Sequence, residues 1–398
     1  MFSRNYLKNM KNKKIKICFV IVNRANYGRI KILLQKLNKN SKFKLQIILC
    51  SSALLNKYGE LNKILMKDGL KIDFKIYSNI EGENLISMTK TAGHLISDLT
   101  TCLSHLKPDM VVTVGDRFET IATAISASYL NKFLVHIQGG ELSGSIDESI
   151  RHAVTKFSHL HLVATKSSKT NVIQLGENPK NVHNVGCPSI DEILNISLKK
   201  KVNLSNSLYG GGTGNLVNLD KDYIVCLAHP DTRIEEENKV LINSMIKAII
   251  KIKMQTIILW PNIDAGSNLI SRAMRVLQQS IQKKVPINFY KNFSNDDYYR
   301  ILKMSKCLVG NSSSGIRECS FLGVPVVNIG KRQDYRERGK NVVDVKPVEE
   351  EITKAIKFQI KKTYKKQNIY GDGKSSDKII HILANTKIDI IKRFYKRT

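Results

Sequence analysis

Polar and ionisable side chains stand directly after short apolar runs at many points in this chain. In HIQGGELSGSIDESIRHAVTK (136–156), Gln138, Glu141, Asp147 and Arg151 follow one such run, Asp116 closes MVVTVGD, and Arg24 lies in VNRANYG. The second half supplies His229 in CLAHPD, Asn262 and Asp264 in WPNIDAG, Ser312, Ser313 and Ser314 in GNSSSG, Glu318 in GIRECS and Arg332 in GKRQDYR. The carboxylates suit proton transfer. Serine hydroxyls beside free backbone N–H groups suit a phosphate, and an arginine offers it a forked, charge-assisted contact.

Each residue also has a plainer reading. Asp116 is either a helix cap or a general base. Ser145 with Glu148 forms an S-x-x-E capping-box pattern, and Asp147 with Arg151 an i,i+4 pair on the helix that follows. Ser312 or Ser313 is an N-cap or part of a phosphate site. Glu318 is an exposed helix charge or a partner for a ribose diol. His136, His152, His159 and His161 fit no metal pair on one helical face and read as core or hydrogen-bonded residues. The seven cysteines lack a CxxC pair and read as reduced core thiols, so no metal site is expected.

These residues need elements to hold them. IKICFVIV, FKLQIILCSS, MVVTVGD, FLVHIQGG and HLHLVAT read as buried strands separated by helical stretches, which predicts a parallel sheet with helices on both faces. After the glycine-rich NLSNSLYGGGTGNLVNLDKD, read as a linker or hairpin, a second series runs YIVCLAH, TIILWPN, INFYKN, CLVGNSSS and VPVVNIG. The expected fold is α/β with two Rossmann-like domains facing across a cleft. The expected units are 1–197 with the catalytic acids, 198–370 binding nucleotide, and a helical 371–398 packing back on the first. Ligands of such sheets sit beyond the carboxyl ends of the strands, where the residues above stand.

Bulk properties limit the alternatives. A chain of 398 residues with 42% hydrophobic and 25% charged residues is ordinary for a soluble protein of about two domains. No run approaches the ~20 apolar residues of a membrane span, and MFSRNYLKNMKNKK lacks a signal-peptide core, so a cytoplasmic protein without a membrane partner is expected. The net charge of +30 comes from lysines spread along the chain, with no basic stripe interleaved with aromatics, which argues against a nucleic-acid partner.

Taken together, GDRFETIATAISASYLN, HIQGGELSGSIDESIRHAVTKFSHLHLVAT, GCPSID, HPDT, NIDAGS, GNSSSGIRE, GVPVVNIGKRQ and NIYGDG resemble the hydrolysing UDP-N-acetylglucosamine 2-epimerases, in order from about residue 15 to about 385. The GTRPE and HVEAGLRT stretches of the non-hydrolysing branch have no counterpart. The resemblance implies a glycosyltransferase-B type fold and conversion of UDP-N-acetylglucosamine to N-acetylmannosamine and UDP through a 2-acetamidoglucal, without metal or cofactor. It implies proton transfer by Asp116 and Asp147. Diphosphate contacts would come from His229, Ser312, Ser313 and Arg332, with Arg24 as helper, a ribose contact from Glu318 and a cleft-lining loop from Asn262, and Arg151 is expected among the substrate-binding residues. Homodimers or homotetramers are common in the family. Two departures stand out: Gln138 replaces the acid of HIEGGE, and Asn26 replaces the acid of RADY. Gln138 would then orient sugar or water, or Glu141 would take over the acid's step. A UDP- or GDP-linked diacetamido-trideoxy sugar is the alternative substrate within the family, and a same-fold glycosyltransferase the alternative outside it.

Overall fold

The computed structural model describes residues 14–55, 61–82, 84–204, 212–232, 235–261, 265–280 and 286–396. Its strands are β1 Ile15–Ile21, β2 Phe43–Cys50, β3 Phe74–Ile76, β4 Met110–Val114, β5 Phe133–Ile137, β6 Leu160–Val163, β7 Val182–Asn184, β8 Thr213–Gly214, β9 Tyr223–Leu227, β10 Gln255–Leu259, β11 Ile287–Tyr290, β12 Cys307–Gly310, β13 Val326–Ile329 and β14 Val342–Val345. They form two seven-stranded sheets, ordered β3-β2-β1-β4-β5-β6-β7 and β14-β13-β12-β9-β10-β11-β8. Every pairing is parallel except β8 with β11.

Parallel strands must be covered on both faces, and the side-chain alternation shows how. In β1, Ile17, Phe19 and Ile21 enter one apolar cluster, while Cys18 and Val20 enter another on the opposite face. In β9, Tyr223, Val225 and Leu227 divide in the same way from Ile224 and Cys226. All seven cysteines are buried and free.

The helix after β1, Arg24–Lys39, buries Ile30, Leu33, Leu34 and Leu37 at helical spacing. Asn23 caps it by accepting from the Asn26 N–H at 2.7 Å. The glycine-rich break contributes Thr213 and Gly214 as an antiparallel edge of the second sheet, while its residues 205–211 lie outside the described residues.

Near the end of the chain, helix Ser375–Asn385 drops Ile379 and Leu383 into the first half's core. Asp191 caps that helix, its two oxygens accepting from the Ser375 and Ser376 N–H groups at 3.0 and 2.6 Å. Beyond it, Lys392 donates to the Thr155 carbonyl at 3.1 Å and pairs with Glu177 at 2.7 Å. Among the described residues no helix is long and apolar enough to cross a membrane.

Candidate active site

In each sheet the strand order reverses once, between β1 and β4 and between β9 and β12. Chains leaving neighbouring strands at such a point diverge and open a crevice at the carboxyl edge. Asn23 and Arg24 follow β1, Asp116 follows β4, His229 follows β9, and Asn311 and Ser312 follow β12. The two crevices face one another and merge into a cleft of about 890 Å³. Arg24, Asp116 and Asp147 line it from the first half, and His229, Ser312, Ser313, Glu318 and Arg332 from the second. Gln138, Glu141 and Arg151 lie behind its wall. Asn262 and Asp264 fall outside the described residues.

A buried charge network backs the cleft. Arg151, fully buried, donates through Nε to Asp116 Oδ2 at 3.0 Å, and its Nη2 bonds the same oxygen. It also reaches the Glu141 carbonyl at 2.5 Å and Ser143 Oγ at 3.1 Å. Arg336 pairs with Asp116 at 3.5 Å and bonds Glu141 Oε2, which Arg317 holds at 2.6 Å. Burial alone would raise the Asp116 carboxyl, yet Arg151, Arg336, Arg29 and Arg317 hold it far below the usual carboxylate range. The same opposition leaves Glu141 at about 2, with Arg317 and Arg336 outweighing its burial.

The helix carrying Asp147, Asp147–Phe157, starts differently from the sequence pattern. Ile146 is its N-cap and makes no side-chain cap bond, so the Ser145–Glu148 capping box does not form. The Glu148 carboxylate instead accepts from the Ser143 N–H and ties down the loop before the helix. Arg151 is turned onto Asp116, one sheet exit away.

The histidines have structural partners. His136 Nε2 faces the Gly115 carbonyl at 2.8 Å, so it carries the proton and Nδ1 accepts from Thr155 at 3.2 Å. Burial pushes its imidazole down to about 3, which keeps it neutral. His161 faces Glu177 at 3.1 Å, and His159 stacks on Phe133.

Asn26 donates to the Val114 carbonyl at 2.9 Å, across the β1–β4 crevice. An ionised aspartate there has no proton to give, so the amide suits this position.

On the second half, Asn311 bonds His229 in both directions, at 2.7 and 2.8 Å, and locks the two strand exits together. The Asn311 carbonyl accepts from Arg332 Nη1 at 3.3 Å and Gln333 Nε2 at 2.9 Å. Ser312 caps helix Ser313–Ile316, accepting from the Ser314 N–H at 3.3 Å. Glu318, read from sequence as either an exposed charge or a ligand contact, is only 7% exposed and accepts from Ser189 Oγ at 2.8 Å.

The halves touch where chemistry would need them to. Arg332 Nη2 lies 3.8 Å from Asp147 Oδ2. Just before, a Cβ added at Gly144 would stand 2.0 Å from the Lys331 carbonyl oxygen, a backbone atom that cannot swing away. Gly144→Ala must therefore push Asp147 away from Arg332. Misplacement on the 1 Å scale costs about 10²-fold in rate, so kcat of this variant is expected to fall by that order while its circular dichroism stays native.

Other cleft residues gave no sequence signal. Arg29 projects from a helix interior, and Arg336 follows Tyr335, whose φ of 65° turns the chain sharply. The cluster of arginines in KRQDYRERG was the available hint. Trp260, Arg275 and Lys291 line the end of the cleft formed by β10 and β11.

Glu192 lies at the seam between halves, 2% exposed, accepting from Asn295 at 2.9 Å. Burial pushes its carboxyl up from 4.5 to about 8. Between those values the unfolded chain binds fewer protons than the folded one, so this group makes stability fall as pH rises. Glu192→Gln is expected to match the wild type in denaturant unfolding at about pH 4, below the unfolded value, and exceed it at about pH 8.

Comparison with known proteins agrees with this architecture. A sequence-family model described as UDP-N-acetylglucosamine 2-epimerase matches residues 35–384. The chain is 34% identical over 371 residues to the Legionella pneumophila "UDP-N,N'-diacetylbacillosamine 2-epimerase (hydrolyzing)", covering 92% of this chain and 95% of that protein. It is 33% identical to a Campylobacter jejuni "GDP/UDP-N,N'-diacetylbacillosamine 2-epimerase (hydrolyzing)", covering 83% and 84%. Among solved structures, the UDP-GlcNAc 2-epimerase of Neisseria meningitidis bound to UDP-GlcNAc superposes with a TM-score of 0.77 at 20% identity, over 94% of this chain and all of that one.

Proposed function

We propose that this chain, which belongs to the UDP-N-acetylglucosamine 2-epimerase family, is a hydrolysing nucleotide-sugar 2-epimerase releasing UDP and a free sugar inverted at C2. One observation carries the reading: a single cleft is lined by Asp116 and Asp147 from one half and by His229, Ser312, Ser313, Glu318 and Arg332 from the other. Carboxylates from one half thus face groups suited to a nucleoside diphosphate from the other.

The chemistry assigns different work to the two aspartates. The C2–H is not beside a carbonyl and is a weak acid. The C1–O bond therefore breaks ahead of proton removal, its electron pair leaving with UDP as positive charge builds at C1. Loss of the C2 proton gives the 2-acetamidoglucal. Water then adds hydroxyl to C1 and a proton to the other face of C2. Asp116, held anionic by Arg151 and Arg336, is a poor proton acceptor and a good counter-charge for the developing cation. Asp147 lies outside that clamp, in the cleft, and is our choice for the proton at C2. Arg332, with Ser312, Ser313 and His229, would stabilise the departing diphosphate, helped by Arg24. Gln138 cannot titrate, and Glu141 is consumed by Arg317 and Arg336. We therefore place both outside the proton transfers, with Arg151 positioning Asp116.

For the sugar, the names of two of the relatives at 33–34% identity favour a diacetamido-trideoxy hexose on UDP or GDP, and the family description supplies UDP-N-acetylglucosamine as the second reading. NMR identification of products from each nucleotide sugar decides between them. Faster turnover of the diacetamido sugar supports the first reading, and faster turnover of UDP-N-acetylglucosamine supports the second. Transfer to an added acceptor with no free sugar would instead indicate a glycosyltransferase.

A further inference from the structure

Behind the cleft wall, four hydrogen bonds join two residues that face the ligand space from opposite halves. Arg29 and Glu318 line the cleft, whereas Gln138, Cys187 and Ser189 do not and are no more than 1% exposed. Arg29 Nη1 bonds Gln138 Oε1 at 3.2 Å, and Gln138 Nε2 bonds Cys187 Sγ at 2.8 Å. Cys187 Sγ lies 2.9 Å from Ser189 Oγ, which donates to Glu318 Oε1 at 2.8 Å.

Every direction in this chain is forced. A guanidinium only donates, so the Gln138 carbonyl must face Arg29 and its amide N–H must face Cys187. A carboxylate only accepts, so the single Ser189 proton goes to Glu318. The Cys187 S–H is then left to donate to Ser189 Oγ, and burial, which pushes this thiol up to about 11, keeps that proton in place. All donors point one way, from a cation in the first half to an anion in the second.

We propose that Gln138, Cys187 and Ser189 are positioning residues, a one-way hydrogen-bond chain that orients the Glu318 carboxylate toward a ribose diol. The proposal rests on the reading of Glu318 as the ribose contact. It accounts for the glutamine: a carboxylate at 138 accepts from Arg29 but cannot donate to Cys187. The thiol proton would then turn toward residue 138, Ser189 Oγ would lose its donor, and nothing would fix the hydroxyl in place for Glu318.

The test compares binding of UDP and 2′,3′-dideoxy-UDP, by calorimetry, to the full-length wild type, Gln138→Glu, Ser189→Ala and the double variant. A hydrogen bond to a charged group is worth about tenfold or more in affinity. UDP binding is expected to weaken by about that factor in each single variant, the dideoxy nucleotide to bind all four proteins alike, and the double variant to be no worse than the singles. In Ser189→Ala the loss should appear in KM more than in kcat, because a general packing defect would weaken both nucleotides. If the wild type prefers UDP and the variants keep that preference, the chain does not orient Glu318 and the proposal fails. If the wild type shows no preference, the ribose reading of Glu318 fails with it.

Discussion

Asp116→Asn is expected to lower kcat by about 10²–10⁴-fold, the range for losing a positioned charge or proton-transfer group, while UDP binds within a few-fold of normal. The reason lies in where Asp116 sits. Its carboxylate is clamped by Arg151 and paired with Arg336 at the edge of the cleft. In the proposed mechanism it presents fixed negative charge there to a sugar whose C1 becomes positive as UDP leaves. Asparagine keeps the shape and removes the charge. The residues proposed for the diphosphate, four from the other half with Arg24 as helper, are left in place, so binding and turnover are expected to separate. Steady-state kcat together with calorimetric UDP affinity checks this, and a near-normal kcat would remove Asp116 from the chemistry.

The second large effect concerns stability. Glu141 neutralises Arg317 and Arg336, both buried at under 9% exposure, Arg336 at the cleft wall and Arg317 behind it. Taking one partner from a buried charge network costs about 3–5 kcal/mol, so Glu141→Gln is expected to unfold at markedly lower denaturant. The pH dependence gives a second check. Because the folded carboxyl titrates near 2, its contribution is complete above the unfolded value of about 4.3 and fades as pH falls toward the folded one. The gap between wild type and variant should therefore narrow in acid. A gap constant from neutral pH into acid would contradict the charge account.

The interior of the fold was readable from sequence, and its margins were not. The ten apolar runs identified as strands correspond to ten of the fourteen strands among the described residues. The four missed, β3, β7, β8 and β14, are the two edges of each sheet. Edge strands here are two to four residues long and partly buried or, in β8, exposed, so they lack the continuous apolar run that marks a strand covered on both faces. The polar residues after β1, β4, β9 and β12 were legible because they recur at one exit after another of buried apolar runs. Their partners were not. Arg317 and Arg29 sit inside or beside helices, where an arginine reads as surface charge. Arg336 is aimed inward by the left-handed backbone at Tyr335. The capping-box pattern at Ser145 and Glu148 misled for a local reason: the Ser143–Gly144 turn, pressed against Lys331, brings another N–H to Glu148 first.

The central claim is that the two halves clamp a diphosphate so that the sugar–oxygen bond breaks while a carboxylate of the first half exchanges the neighbouring C2 proton. Turnover of the preferred nucleotide sugar in deuterated water, with the free sugar examined by NMR, tests it most directly. The account predicts deuterium at C2 of an inverted sugar. Release of UDP with protium retained at C2 and its configuration unchanged would contradict it.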